Sequence, residues 1–417
     1  MPNSNCLCSA LFMLAVLAPA ALAAEQPDPV EARISAAQAK LKTSPESYTA
    51  YNDLAAALCR KGRDTEDLAV YEQAEIALGR SLQLSAANYE ARKLQVTVLL
   101  GKHEFAAALA LAQELNRKVP DDIAGWASLA EANIALGNYA DAEVQTQWVL
   151  DLRPGNTLGF EKAAALRVLF GDVPGAIEFL DEANRRTSPN DADQRAWLLT
   201  RKSDLQLISG YPKEAEESIQ QAFQFLPDSQ LATEVLARVR LAQGRFSEAA
   251  ALFEKRYTRV KSARNLYDWA LALDKSGQKR EAEAAFEQFE RQAGAETGRP
   301  FNANLQLVLF KLDQKNDAAA ALALATRMSK ERHDCATLDA YAWALYSNGR
   351  YSEAKAQMDR ALAVGVRNPA YFCHAGQIAA KAGDAAAAAG YQKEAVSFKD
   401  GNCPAEGVKA LLSGVNR

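Results

Sequence analysis

The sequence predicts an all-α protein: a solenoid of about ten helix–turn–helix units with an extra helix at each end. Three observations carry that prediction. First, the chain has 417 residues, too many for one ordinary compact domain of roughly 100–200 residues. Its composition is nevertheless globular, with 49% hydrophobic and 24% charged residues, which argues against wholesale disorder. Second, one short phrase recurs along the chain. An apolar helix-like segment ends in Gly, a polar stretch often holding an aromatic follows, and Glu-Ala or its equivalent opens a second helix. Third, Pro120, Pro154, Pro189, Pro227 and Pro369 fall near the junctions between these phrases. Proline cannot continue a helix, so it marks where the second helix of each unit ends.

The first element is an address. Leu11 to Ala23 is almost unbroken small and apolar side chain, closing on Ala21-Leu22-Ala23-Ala24 before the polar Glu25-Gln26. That is the pattern of a secretory signal peptide over residues 1–24, and it is too short for a comfortable bilayer span of ~20 residues. Met1 to Ser9 holds no Lys or Arg, a departure from the pattern. An uncleaved anchor is the alternative. Cys6 and Cys8 precede the apolar run, so they do not stand where a lipoprotein cysteine would. No later segment is long and apolar enough to span a membrane. The expectation is an exported protein, periplasmic or secreted, with no integral span once the signal is removed.

Residues 25–44 follow as an N-terminal capping helix. Asp28-Pro29 before Val30-Glu31-Ala32-Arg33-Ile34 places a capping side chain and a first-turn proline at its start. The solenoid then occupies 45–400. Its turn anchors are Gly62, Gly101, Gly137, Gly171, Gly210, Gly244, Gly277, Asn316, Gly349 and Gly383, spaced 39, 36, 34, 39, 34, 33, 39, 33 and 34 residues apart. Gly and Asn tolerate the left-handed backbone that ends a helix. The three long steps place extra residues in loops around Arg63–Asp67, Thr187–Asp193 and Gly294–Pro300. Small residues after the turns, such as Ala142, Ala215 and Ala282, let paired helices approach. Phe223, Phe253, Phe286 and Met358 fill the space between hairpins. A lone hairpin cannot bury its apolar face, and stacking buries a continuous core. Residues 401–417 form a C-terminal cap or tail, with Val408, Leu411 and Leu412 in the stretch Pro404 to Ser413.

The unit Trp126…Leu129-Ala130…Gly137-Asn138-Tyr139…Ala142…Pro154 resembles the tetratricopeptide repeat, whose period is 34. The resemblance runs from about Pro45 to about Lys399. The segment Asp339 to Tyr351, with His374-Ala375-Gly376, is similar to a group of exported bacterial repeat proteins. The resemblance implies a right-handed superhelix with the first helix of each unit on the concave face. Counting back from each anchor then places Glu131, Glu161, Asp204, Arg238, Tyr267, Phe310, Asp339, Trp343 and Tyr346 there. Its charged N-terminal and aromatic C-terminal halves suit an extended or helical peptide with apolar and basic side chains. Tyr267, Phe310, Asp339, Trp343 and Tyr346 are the candidate groove residues. The alternative is that Trp343 and Tyr346 are core between adjacent hairpins.

His333, Cys335, Cys373, His374 and Cys403 gather chemistry near the C-terminus. Cys373 opens the first helix of the last hairpin and Cys403 follows its second, so a Cys373–Cys403 disulfide would staple the unstacked end of the array. Cys335 competes as partner, and Cys59 reads as a small buried residue. The ligand types match a zinc site, but the spacing does not, so no metal and no cofactor are expected. Phosphate loops, nucleophile elbows and metalloprotease motifs are absent from the sequence, and its acids alternate with Lys and Arg as on solvated helix faces. A net charge of −4 argues against a nucleic-acid partner, which needs a basic face. The function that follows is a non-enzymatic scaffold of the cell envelope, binding a protein or peptide in its groove, in assembly of an envelope or export complex. Two alternatives stand beside it: a self-associating structural module, and a carbohydrate-binding accessory protein stacking sugars on Trp343, Tyr346 and Tyr267.

Overall fold

The computed structural model describes residues 28–397, and all regular secondary structure among them is helix. The signal peptide over 1–24, the cap at 401–417 and Cys403 lie outside the described residues. Helix α1 (Pro29–Thr43) precedes ten hairpins. These are α2 (Tyr48–Thr65) with α3 (Leu68–Leu84), α4 (Tyr89–Gly101) with α5 (Phe105–Lys118), α6 (Ile123–Leu136) with α7 (Tyr139–Leu152), and α8 (Thr157–Leu169) with α9 (Val173–Arg186). Next come α10 (Ala192–Ile208) with α11 (Pro212–Phe225), α12 (Gln230–Ala242) with α13 (Phe246–Arg259), and α14 (Ala263–Lys275) with α15 (Lys279–Glu296). The last three are α16 (Asn304–Asp313) with α17 (Ala318–Glu331), α18 (Cys335–Ser347) with α19 (Tyr351–Leu362), and α20 (Pro369–Lys381) with α21 (Ala385–Val396).

Local chemistry sets the boundaries. Asp28 caps α1 through its carboxylate, with Pro29 in the first turn. Ser47, Asn88, Asp122, Asn156, Ser229, Ser262, Asp334 and Asn368 cap first helices of the hairpins in the same way. Left-handed residues end most of those helices, with φ of 89° at Gly137 and 52° at Asn316. Pro369 begins α20 instead of marking the end of α19.

Two anchors move. Gly62 lies inside α2 and Gly101 is the last residue of α4, and the left-handed positions of those units are Glu66 (φ 54°) and His103 (φ 60°). Gly62 and Gly101 serve packing: a Cβ would stand 2.7 Å and 2.2 Å from the Tyr71 ring, which fills the space between α2 and α4. The extra residues also fall differently from the expectation of loops. Both α2 and α15 extend to 18 residues, while Thr187–Asp191 before α10 and Thr297–Ala303 before α16 remain connections, the latter overlapping the expected loop at Gly294–Pro300.

The array winds until its edges meet. Residues at and beside the turns of early hairpins contact residues in and between the helices of late ones, joining positions 190 to 198 apart, roughly five to six units at the repeat period. Leu136 O accepts from His333 N at 3.0 Å, Ala135 O from Arg332 Nε at 3.1 Å, and the Tyr139 hydroxyl from Cys335 N at 2.9 Å. Asp64 accepts from the Ser229 hydroxyl and from Gln230 N at the start of α12, where the helix dipole favours a carboxylate. Asp191, at the capping position of α10, makes no cap; it binds Arg60 and Arg33 of the first turn instead. Burial pushes its carboxyl up, but those two guanidiniums outweigh burial and hold it at about 2. The result is an edge seam that closes the concave surface along one side.

Candidate functional site

The inner wall is built by the first helix of each hairpin, and its accessibility changes along the chain. On α6 the Glu131 side chain is 50% exposed and pairs with Lys162 of α8. Burial raises the Glu131 carboxyl, and Lys162 more than reverses that, leaving it below the ordinary carboxylate range. Glu161 is the first residue beside Lys162 on α8, and its Oε1 accepts from Gln194 Nε2 at 2.6 Å. Burial dominates at Glu161 and pushes its carboxyl to about 7, with Lys162 and Arg63 pulling the other way. No ion pair forms at Glu161 among the described residues. It is a half-buried acid with a neutral hydrogen-bond partner.

Further along, the wall is filled. Asp204 and Arg238 pair with each other in full burial. Arg256 is 1% exposed and binds Glu234, also 1% exposed, and Glu66 of the first turn at 2.5 Å. Four of the residues expected in the groove lie in the core instead. Tyr267 and Phe310 are buried at 0% and 1%, in an aromatic cluster with Phe286 and Phe289. Asp339 is buried and accepts or shares a bond with His374 Nδ1 at 2.8 Å. Trp343 is buried between the rings of Tyr346 and His374, at centroid distances of 4.6 and 4.3 Å. Tyr346 alone of these keeps partial exposure. The physical reason is the second turn: its first helices are covered on both sides by neighbouring hairpins, so residues one helical step from the groove enter the core. Aromatic stacking of this kind adds about 0.5–1.5 kcal/mol per pair beyond area burial.

The Tyr267 hydroxyl has no hydrogen-bond partner. Tyr267→Phe is therefore expected to hold or raise stability, by up to about 1 kcal/mol, because it removes a buried unpaired hydroxyl. Tyr267→Ala is expected to cost about 3–5 kcal/mol through the cavity it leaves. Urea unfolding of the two variants distinguishes them; a groove residue would leave stability unmoved in both.

The cysteine cluster divides. Cys373 is disulfide-bonded, whereas Cys335 and Cys59 are free and buried, so Cys335 does not take part in that bond. Cys403 lies outside the described residues. Burial pushes the thiols of Cys59 and Cys335 up, to about 12 and about 11, which keeps both as unreactive thiols. The Cys335 thiol instead meets the Tyr139 hydroxyl at 3.3 Å across the seam. His374 is committed to Asp339 and Trp343, and no group of three or more metal-ligating side chains gathers among the described residues. No helix among them is long and apolar enough to cross a membrane.

The wall residues Arg60, Arg63, Asp64 and Glu66 of α2 and its turn were missed by sequence reasoning. No local signal in the sequence marks them, because each reads as a solvated charge around the turn that follows Gly62.

The sequence profile of the tetratricopeptide repeat matches residues 204–261 and 340–405. No curated protein matches the chain. Among solved structures, the human IFIT1 dimer with PPP-AAAA is similar at 15% identity and a TM-score of 0.50, covering 89% of this chain and 94% of that one. The human IFIT1 dimer with m7Gppp-AAAA gives 14% identity and a TM-score of 0.51, covering 89% and 95%. A tetratricopeptide repeat protein from Parabacteroides merdae is 17% identical with a TM-score of 0.39, covering 57% and 93%. At these identities the likeness concerns the fold. The expected exclusion of nucleic acid receives no support from it.

Proposed function

We propose, from the premise that this chain is a tetratricopeptide-repeat solenoid, that it is a non-enzymatic scaffold that binds a protein or peptide on its inner wall. The observation that carries the reading is Glu161, a half-buried carboxyl lacking an ionic partner beside the half-exposed Glu131. Such a pair suits a Lys or Arg side chain of a partner segment, which would supply the missing charge in a low-dielectric setting. The N-terminal sequence supports export, and the service we assign is assembly within the cell envelope.

Ionisation gives the reading a pH signature. Glu161 is protonated below about 7, so its attraction for a basic side chain is present above that pH and fades below it. Cross-linked capture from the native envelope fraction, by the chain from Glu25, is expected to be stronger at pH 8 than at pH 6. Glu161→Gln is expected to lose roughly tenfold in affinity and to flatten the pH dependence. Equal capture by the parent and by folded Glu161→Gln and Glu131→Gln variants would move the binding surface elsewhere.

Self-association is the second reading, and one observation favours it. Val144 and Trp148 stand one helical turn apart on the outer helix α7, 59% and 47% exposed, with Trp148 stacked on Trp126 at 5.3 Å. A mass that rises with concentration and becomes monomeric in Trp148→Glu would put this reading first.

A further inference from the structure

A half-open pocket lies where the two superhelical turns meet, apart from the inner wall. Its volume is about 550 Å³, within the range of roughly 300–1,000 Å³ typical of small-molecule sites. The first turn contributes the segment His103–Ala107, and the second contributes the connection after α15, the start of α16 and the end of α17.

Four guanidinium groups line it: Arg264, Arg299, Arg327 and Arg332. Arg332 is fixed, by Ala135 O and Asp334 and by stacking over the Phe105 ring at 5.1 Å. Arg327 is anchored on Thr297 O at 2.9 Å. Arg264 reaches Glu66 through Nη1 at 3.4 Å, while its Nε is buried with no acceptor. Arg299 is exposed at the mouth and forms no ion pair among the described residues. Three acids share the lining, and two of them are committed: Glu104 binds Lys102, and Asp334 caps α18 and binds Thr337. Glu331 lies exposed at the rim. His103 stacks between Phe105 and Phe301 at 5.2 and 4.7 Å, in a left-handed conformation that costs a non-glycine residue about 1–2 kcal/mol. Burial, then Arg264 and Arg332, push the His103 imidazole down to about 4, so the pocket is electropositive around a neutral ring.

A second buried atom in the same lining lacks a partner. The Asn304 side chain donates through Nδ2 to Thr297 O at 3.1 Å, which fixes its orientation, and its Oδ1 accepts nothing. Buried polar groups are nearly always paired, and each exception asks what completes it. Here the open positions are one cationic donor and one neutral acceptor in a single cavity.

We propose that this cavity binds a small anionic organic molecule, whose carboxylate or phosphoryl group meets Arg264 and Arg299 and whose hydroxyl or amino group donates to Asn304. Apolar side chains of Phe105, Leu136 and Met328 would cover the ligand's carbon skeleton. Because both turns supply walls, the bound anion would also tie the turns together and raise the unfolding temperature by mass action. This inference does not depend on the inner-wall reading, since the two sites share no side chain.

The probes are succinate, malate (succinate with one added hydroxyl) and inorganic phosphate, added to the mature chain at constant ionic strength with sodium chloride as control. Calorimetry and thermal unfolding are expected to show saturable binding of malate or phosphate, with no effect of chloride. The carboxylate and phosphate arms identify which anion the cavity prefers. Malate is expected to bind more tightly than succinate, and equal affinity overturns the role given to Asn304. Arg264→Gln is expected to weaken binding at least about tenfold. Because Arg264 also touches Glu66, Arg299→Ala is the second variant; its side chain is exposed, so its fold is expected to be retained while affinity falls. No heat and no shift in unfolding temperature with any of the three probes overturns the proposal. So does unchanged affinity in both variants with helicity retained.

Discussion

Arg256→Ala is expected to cost about 3–5 kcal/mol, among the largest losses a single polar truncation produces. Its guanidinium is 1% exposed and joins Glu234 on α12 to Glu66 at the first turn. Truncation removes an ionic partner from the buried Glu234 carboxylate and releases one link across the seam. Arg256→Lys is expected to recover little, because an ammonium cannot reach two carboxylates with a planar fork. Stability in a repeat array is approximately a sum of local terms, so the loss should be local. Hydrogen exchange is expected to accelerate in α12 and α13 and also in the end of α2, far away in sequence. Acceleration confined to α12 and α13 would mean that Glu66 contributes nothing across the seam. An unchanged urea midpoint would refute the whole assignment.

What the sequence disclosed, and what it withheld, follows from range. The hairpins were legible because their signals are local: a left-handed Gly, a proline beyond the helix, a small residue after the turn. The unit Trp126 to Pro154 shows all of them. The same locality misled at Gly62 and Gly101, where glycine makes room for Tyr71 while Glu66 and His103 take the left-handed positions. The seam was invisible. Asp64, Glu66 and Arg256 look like solvated helix charges, and nothing periodic links residues 190 apart. The groove assignment failed at Tyr267 and Phe310 for a related reason. A helix of the second turn is covered on more than one face, and neighbouring positions differ by about 100°, so a small error of register separates wall from core. Among the groove candidates, Tyr346 alone stays partly open. Glu161 was placed on the concave face by the resemblance, but its lack of an ionic partner needed the structure.

Gly137 and Gly277 offer a test of the seam in which the local backbone is held constant. Both are left-handed, at φ 89° and 85°. An added Cβ at Gly277 meets nothing within 4 Å, whereas at Gly137 it stands 2.4 Å from the carbonyl carbon of His333 and 2.6 Å from Asp334 N. Gly277→Ala should therefore cost only the backbone strain, about 1–2 kcal/mol. Gly137→Ala carries that strain and a collision with rigid backbone, which the chain can relieve only by opening the seam. The hydrogen bonds from His333 N, Arg332 Nε and Cys335 N would go with it, at about 1 kcal/mol each. The total is expected near 4 kcal/mol, with the amides of His333 and Cys335 losing protection and the radius of gyration growing. A Gly277→Ala variant should change neither. Equal behaviour of the two variants would mean that the turns do not touch in solution. The anion cavity would then lose one wall, and the inner wall at Glu161 would be open along its side. The comparison thus decides whether a partner must enter from an end of the superhelix or can reach the wall laterally through an open edge.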